Sequence, residues 1–566
     1  MTLGVRTASA VLMAAALVPG TTLAQAGNAL RTPAGSVSAL MHEALVPGLQ
    51  MAIISNGRVE AVRSFGTVNA DTGAPVTKAT VFEAASLSKP VFAYGVLKLA
   101  SAGRIDIEAP VGRYLPDLKG PAAQLTVRQL LSHTGGLPNG SGKLEVSTAD
   151  IGRFSYSGDG FGLLQRVVEA ITKQPLNDYM RTAVFEPLGM ASSSYVWRDT
   201  YRATKVFGHN FTGTNAGRAH IPEARAQSSL ETTAADYARF MLATIKGQDL
   251  EPTLARQVFS PQVKLERGCS DCLGKPRGPL SDTMSWGLGW GLEQTKGERF
   301  AWHYGDNNTM QGYAAIALDG SRGVVILTNS ANGHSIIPSV VSPVIHVDAP
   351  GYAWVRVYAP YTDPSRRLLV RIVHGGEVRQ ADLALPRADL IQTADRLTQG
   401  GKPADAASLL RRLPGGSRDA GELARLAEAE RKAGDLSQAR RDAEAALARD
   451  PTNKPARSVV DKIAMSARAV STARLDRYAG RYASPYGPLT VTRSGSRLVG
   501  RFEDQPPSDL LAMSDHQFLI DEIGLPITFV QGADGEVTHA VVEAGSPVTL
   551  RRLKLGRSSR SVRHLE

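Results

Sequence analysis

Residues 82–103 read FEAASLSKPVFAYGVLKLASAG. Ser86 stands three residues before Lys89, and residues three apart on a helix share a face, with Cβ atoms roughly 5–6 Å apart. Phe92, Val96 and Leu99 recur at helical spacing and Gly103 supplies a stop, which predicts a helix opening near Ser86. A serine hydroxyl is a poor nucleophile until a base takes its proton. A helix start adds positive potential and an N–H outside the intrahelical ladder, suited to an oxyanion. Serine at a helix start is also a common cap, so the pair alone leaves both readings open.

Outward from this helix, strands gather at both ends of one large unit. GLQMAIISNGRV (48–59) and EAVRSFGTVN (60–69) read as a hairpin about an Asn-Gly turn. GFGLLQRVVEAITKQ (160–174) and TTAADYARFMLATIKG (232–247) read as helices. MSWGLGWGLE, RFAWHYG, GYAAIALDG and RGVVILTNS, between 284 and 330, read as strands again. The expected fold of residues 30–345 is therefore α+β, with one antiparallel sheet closed by both ends of the domain and a helical lobe beside it.

The chain has 566 residues, too many for one core. Residues 1–26 read as an export signal, with an apolar run too short for a membrane span and small residues at cleavage spacing, Ala24 and Ala26. A periplasmic or secreted protein without a membrane span is expected. Residues 346–387 read as a linker in which YAWVRVYAP and RRLLVRIVHGG look like strands. Residues 388–468 turn rich in Ala, Leu, Arg, Asp and Glu. GKPADAASLLRRLP from Gly401 and GDLSQARRDAEAALARDP from Gly434 align with Ala406 and Ala439 in equivalent places. That pattern resembles short tetratricopeptide-like helical repeats, a module that would dock a protein partner. Residues 472–553 read as a small β-sandwich or barrel, followed by a basic tail at 554–566.

The formal net charge of +11 is dispersed, which suits anionic cell-envelope polymers more than a nucleic acid, for which no recognition motif is present. The only two cysteines, Cys269 and Cys272, lie in CSDC. In an exported chain a short structural disulfide is the simplest reading; a redox pair lacks βαβ context and a zinc site lacks further ligands.

Two further motifs follow Ser86 and Lys89 in order. FSYSGDGFG presents Tyr156, Ser157 and Gly158 at a helix start, and AWHYGDN presents His303, Tyr304 and Gly305 at a strand end. With LLSHTGGLP, VFEPLGM, TTAADYARF and WGLGWGL, they make residues 30–340 resemble the β-lactamase-related serine hydrolases, the class C β-lactamase, penicillin-binding-protein and esterase-like group. The C-terminal β segment resembles a small domain often appended to that family. The resemblance implies an acyl-enzyme on Ser86. Lys89 would act as its base or lower the pKa of a phenolate-like Tyr156, and His303 would assist by a hydrogen bond or partial charge in place of the usual lysine. The backbone N–H of Asp306 would complete the oxyanion hole with that of Ser86. Ser157, Gly158, Tyr304, Gly305 and Asp306 would line the substrate, a small molecule or peptide, with no metal or cofactor. His133 and His374 also fit H-x-G, but order and place assign them structural roles.

One departure bears on specificity. Gly158 stands where the family pattern has an Asn that holds the substrate's amide, and the stretch from Pro138 to Tyr156 is short. Both point toward an ester, a small peptide or an unusual D-amino acid substrate rather than efficient β-lactam hydrolysis. The rival expectation is an envelope binding protein that acylates weakly and docks a partner through its repeats.

Overall fold

The computed structural model describes residues 31–553 apart from 33–34, 267–272, 275–277, 279–281 and 355–358. The expected signal segment, the Cys269–Cys272 pair and the basic tail lie outside the described residues.

The central sheet has eight strands: β1 (Gly48–Ser55), β2 (Arg58–Gly66), β3 (Val263–Lys264), β4 (Met284–Trp286), β5 (Gly291–Thr295), β6 (Glu298–Asp306), β7 (Gln311–Ala317) and β8 (Arg322–Thr328). Their spatial order is β2-β1-β8-β7-β6-β5-β4-β3, antiparallel throughout. The β1–β2 turn takes positive φ at Asn56 and Gly57, as an Asn-Gly hairpin requires. Alternation along each strand splits the sheet's two faces. Ile54, Ile316 and Leu327 face the helical lobe, whereas Met51, Ala315 and Ile326 pack with the helices Val37–Glu43 and Ile337–Ile345.

The lobe is built around α1 (Ser88–Ser101), with α2 (Gly158–Thr172) and α3 (Ala234–Ile245) beside it. Eleven residues of α1 are buried, so it is a central helix rather than one with a single apolar face. Gly103, at φ 68°, follows its end as expected. Ser86 itself precedes α1, in a 3₁₀ turn over Ala85–Leu87.

Residues 366–373, expected as a strand, are helical. α4 (Pro364–Val373) starts at an Asp363 cap that accepts from Ser365 N at 2.9 Å, with Pro364 in its first position. The β-branched Val370, Ile372 and Val373 suggested a strand, but Leu368, Leu369 and Ile372 pack as a helical stripe against Leu390, Ala394 and Leu397. Most of YAWVRVYAP's strand-like centre lies outside the described residues, and Tyr352–Trp354 form a turn. Five helices follow between residues 387 and 467, Arg387–Gln399, Pro403–Arg411, Ala420–Ala433, Leu436–Arg449 and Lys454–Ala467, and a short one, Thr472–Tyr478, leads into the barrel. Ala406 and Ala439 are both fully buried in the resulting cores.

The C-terminal β unit is a closed eight-stranded antiparallel barrel running from Gly480–Ala483 to Val548–Leu553. Its interior is packed with Tyr482, Leu489, Phe518, Phe529 and Leu550. No helix among the described residues is long and apolar enough to cross a membrane.

Candidate active site

The turn that carries Ser86 is held in an uncommon backbone conformation. Ala85 has φ 49°, a region that costs a non-glycine residue about 1–3 kcal/mol and persists only where the surroundings enforce it. Here the Ser88 hydroxyl donates to the Ala85 carbonyl and accepts from Leu230 N at 2.9 Å, which ties the turn to the chain beside it. Across the site, β6 brings Gly305 so close that a Cβ there would collide with the Ala84 carbonyl and lie 3.1 Å from Ser86 N. Glycine is required at this crossing.

Lys89 Nζ donates to Ser86 Oγ at 3.1 Å and to the Gln227 carbonyl at 2.9 Å. It lies 4.7 Å from the centroid of the Tyr156 ring. Lys89 is 2% exposed, and burial lowers its pKa from 10.5 to about 7. A substantial share of Lys89 is therefore a neutral amine at neutral pH, beside the hydroxyl it would deprotonate.

Tyr156 is buried among His133, Trp286, His303 and Tyr304. Its hydroxyl lies near that of Ser86 but makes no well-aligned hydrogen bond. Burial and then the neighbouring Tyr304 push its pKa well above the usual phenol range, and the nearby Ser86 hydroxyl only partly opposes them. The expected phenolate-like Tyr156 is corrected to a neutral phenol.

His303 is fully buried, and burial followed by Lys89 lowers its pKa to about 3. Its Nδ1–H donates to the Tyr304 carbonyl at 2.7 Å, which leaves Nε2 as an unpartnered acceptor. Of the two forms of assistance expected of His303, a hydrogen bond or a partial charge, the neutral imidazole leaves the hydrogen bond.

The Ser157 hydroxyl, expected toward the substrate, is instead engaged within the fold. It caps α2 by accepting from Gly160 N at 2.8 Å, and it donates to the Pro138 carbonyl at 2.7 Å. Gly158 is buried. Its N–H donates to Asn139 Oδ1 at 2.9 Å, and a Cβ on Gly158 would stand 3.0 Å from that oxygen. Tyr304 and Asp306 are half-buried at the end of β6.

Sequence reasoning missed Gln227. Its carbonyl holds Lys89, and its side-chain oxygen is buried without a partner. No local pattern marks it, because a loop 138 residues from Lys89 delivers it. His133 accepts from Ser157 N at 3.1 Å and packs against Tyr156, the structural role expected of it. His374 lies away from this site and stacks on His42.

The Beta-lactamase family model matches residues 34–336, more than half of the chain, and the chain belongs to that family. It is a β-lactamase-related serine hydrolase by family. A domain of unknown function, DUF3471, matches residues 464–556. Penicillin-binding protein 4 of Amycolatopsis lactamdurans is 26% identical over 358 residues, covering 58% of this chain and 92% of that protein. Protein flp of Staphylococcus aureus (strain MRSA252) is 23% identical over 314 residues, half of this chain, and the chain spans 60% of that protein's length. Among solved structures, the octameric penicillin-binding protein homologue from Pyrococcus abyssi matches with TM-score 0.45 at 15% identity, over 90% of this chain and 97% of that one. The D-alanine carboxypeptidase AmpC from Burkholderia cenocepacia matches with TM-score 0.44 at 21% identity, over 54% and 94%.

Proposed function

We propose that the chain cleaves an ester or a small amide through an acyl-enzyme on Ser86, in preference to rapid β-lactam hydrolysis. The observation that carries this reading is the contact of a desolvated Lys89 amine, 3.1 Å from Ser86 Oγ. Lys89 takes the Ser86 proton as Oγ bonds to the substrate carbonyl carbon. The carbonyl oxygen becomes an oxyanion facing the backbone N–H groups of Ser86 and Asp306. Collapse breaks the bond to the leaving group, which takes a proton from the neutral Tyr156. Lys89 then passes the proton taken from Ser86 on to Tyr156. Water hydrolyses the acyl-enzyme by the reverse proton movements and restores Ser86.

Two features support the preference. Gly158 offers no side-chain amide, and Asn139 occupies the adjoining space. His303 brings no positive charge to bind a substrate carboxylate. The proposal retains export through residues 1–26 and protein docking by the helices between 387 and 467.

Intact mass after mixing with a penicillin, and separately with an activated acyl ester, tests the reading in wild type and Ser86→Ala. Turnover of the ester that needs Ser86 supports it. A penicillin adduct that persists, with no turnover of either reagent, would favour an envelope binding protein instead.

A further inference from the structure

His220, Glu503 and Asp504 bring ligand atoms within 4.8 Å of one another, at the seam between the catalytic domain and the barrel. The cluster already holds cations. Arg218 donates twice to Asp504 Oδ2, at 2.8 and 3.0 Å, His220 Nε2–H donates to the same oxygen at 2.6 Å, and Arg202 donates to Glu503 at 2.8 Å. It is a docking contact, and its backbone joins as well: Arg218 N donates to the Asp504 carbonyl, and Gln505 Nε2 donates to the Arg218 carbonyl. Gly217 has no room for a side chain beneath Gln505. Arg218 and His220 are buried, and Trp197 stacks on His220 at 3.7 Å.

The polar chain continues inward. Arg218 donates to the carbonyl of Lys205 at 3.1 Å. Lys205, fully buried, pairs with Glu231 and lies 3.6 Å from Glu83. Glu83 and Glu231 face each other on paired strands, and Glu83 precedes Ser86 by three residues. Glu83 also accepts from Asn307, in the turn just after His303, Gly305 and Asp306. Asn307 donates in addition to the carbonyl of Ser228, next to Gln227. The Ser86 segment, the end of β6 and the Gln227 loop therefore meet on one buried ionic cluster, and the barrel's 503–505 loop closes that cluster from outside.

We propose that the C-terminal barrel is a clamp on the active-site frame, with Asp504 a positioning residue that acts through Arg218 and the Lys205–Glu231–Glu83 cluster to fix the Asn307 turn. This assigns a role to the segment matched as a domain of unknown function. Removing one partner of a buried ion pair leaves the other uncompensated, so the effect spreads along the chain of contacts.

The test uses the full chain and does not depend on knowing the substrate. Asp504→Asn and Asp504→Ala are compared with wild type by hydrogen–deuterium exchange, with Arg497→Gln, an exposed barrel residue, as control. Exchange is expected to rise at residues 306–310 in both Asp504 variants while the barrel and the rest of β1–β8 stay protected, and to stay at wild-type level in the control. With an activated ester, kcat is expected to fall about three- to thirtyfold, more than KM changes. Asp504→Glu is expected to recover part of both effects. Faster exchange at 503–505 and 217–220 with no change at 306–310 would overturn the clamp, and so would a uniform rise over the whole chain in every Asp504 variant. Faster exchange at 306–310 in a protein that turns over neither ester nor amide would uphold the clamp and overturn the hydrolase reading.

Discussion

Lys89 lies over the face of the Tyr156 ring, 4.7 Å from its centroid, while its Nζ reaches toward Ser86 Oγ. The phenol hydroxyl receives no hydrogen bond from the amine. This geometry separates the two basic candidates of the site. The group whose charge is easily lost faces the nucleophile, and the phenol stays neutral beside it.

Acylation should therefore follow the titration of Lys89. Single-turnover acylation with a non-ionising ester is expected to rise with pH through a midpoint near 7 and then level off. Lys89→Met should abolish acylation, by a factor of about a thousand or more. A midpoint near 10.5, the value of an unburied lysine, would show that burial does not neutralise Lys89.

The same group should cost stability. The folded pKa of Lys89 lies near 7 and the unfolded value near 10.5, so the unfolded chain binds more protons between them. Its contribution to stability thus rises with pH across that window and is least favourable below pH 7. Lys89→Met should raise stability at pH 6 by about 1–3 kcal/mol, and by less at pH 10. Thermal unfolding at the two pH values measures the difference.

His303 should not appear in the pH profile between 5 and 8, because burial holds it neutral there. His303→Asn is expected to lower kcat by about tenfold or more while leaving the acylation midpoint near 7. An acidic limb that disappears in His303→Asn would contradict the neutral imidazole.

Ser157→Ala should lose about 1 kcal/mol of stability through the missing cap on α2, with KM for a small ester little changed. A large rise in KM with unchanged stability would return Ser157 to the substrate.

Gly158→Asn should be destabilising by about 1 kcal/mol, because its Cβ would press on Asn139 Oδ1 at 3.0 Å. Adding Asn139→Ala removes the obstacle and should recover most of the loss. Only the double variant is expected to gain β-lactam turnover, which a chromogenic cephalosporin would report.

The sequence carried the motif trio and both halves of the sheet because each rests on local spacing. Ser86 and Lys89 flank the start of α1, Tyr156 stands just before the cap of α2, and His303 lies near the end of β6. What stayed hidden depends on distant chain segments. Gln227 comes to Lys89 from a loop with no periodic signal, and the phenol and imidazole are neutral because of burial that no single stretch encodes. Ser157 was read as lining the substrate together with its motif neighbours, although serine before a helix is equally a cap. α4 was read as a strand for its β-branched residues, despite the Asp363-Pro364 start written in front of it.

Strand β1, next to the edge strand β2, pairs with β8, although nearly half the chain separates them in sequence. Closing so long a loop costs entropy before any contact repays it, and non-local pairing of this kind slows folding. The helical lobe has no complete sheet to rest on until residues 322–328 arrive. During that interval the apolar strand β1 and its partner β2 form a hairpin with unpaired edges, open to association with other copies. The yield of native protein on refolding should therefore fall steeply with chain concentration, even where the folded state, once reached, is stable.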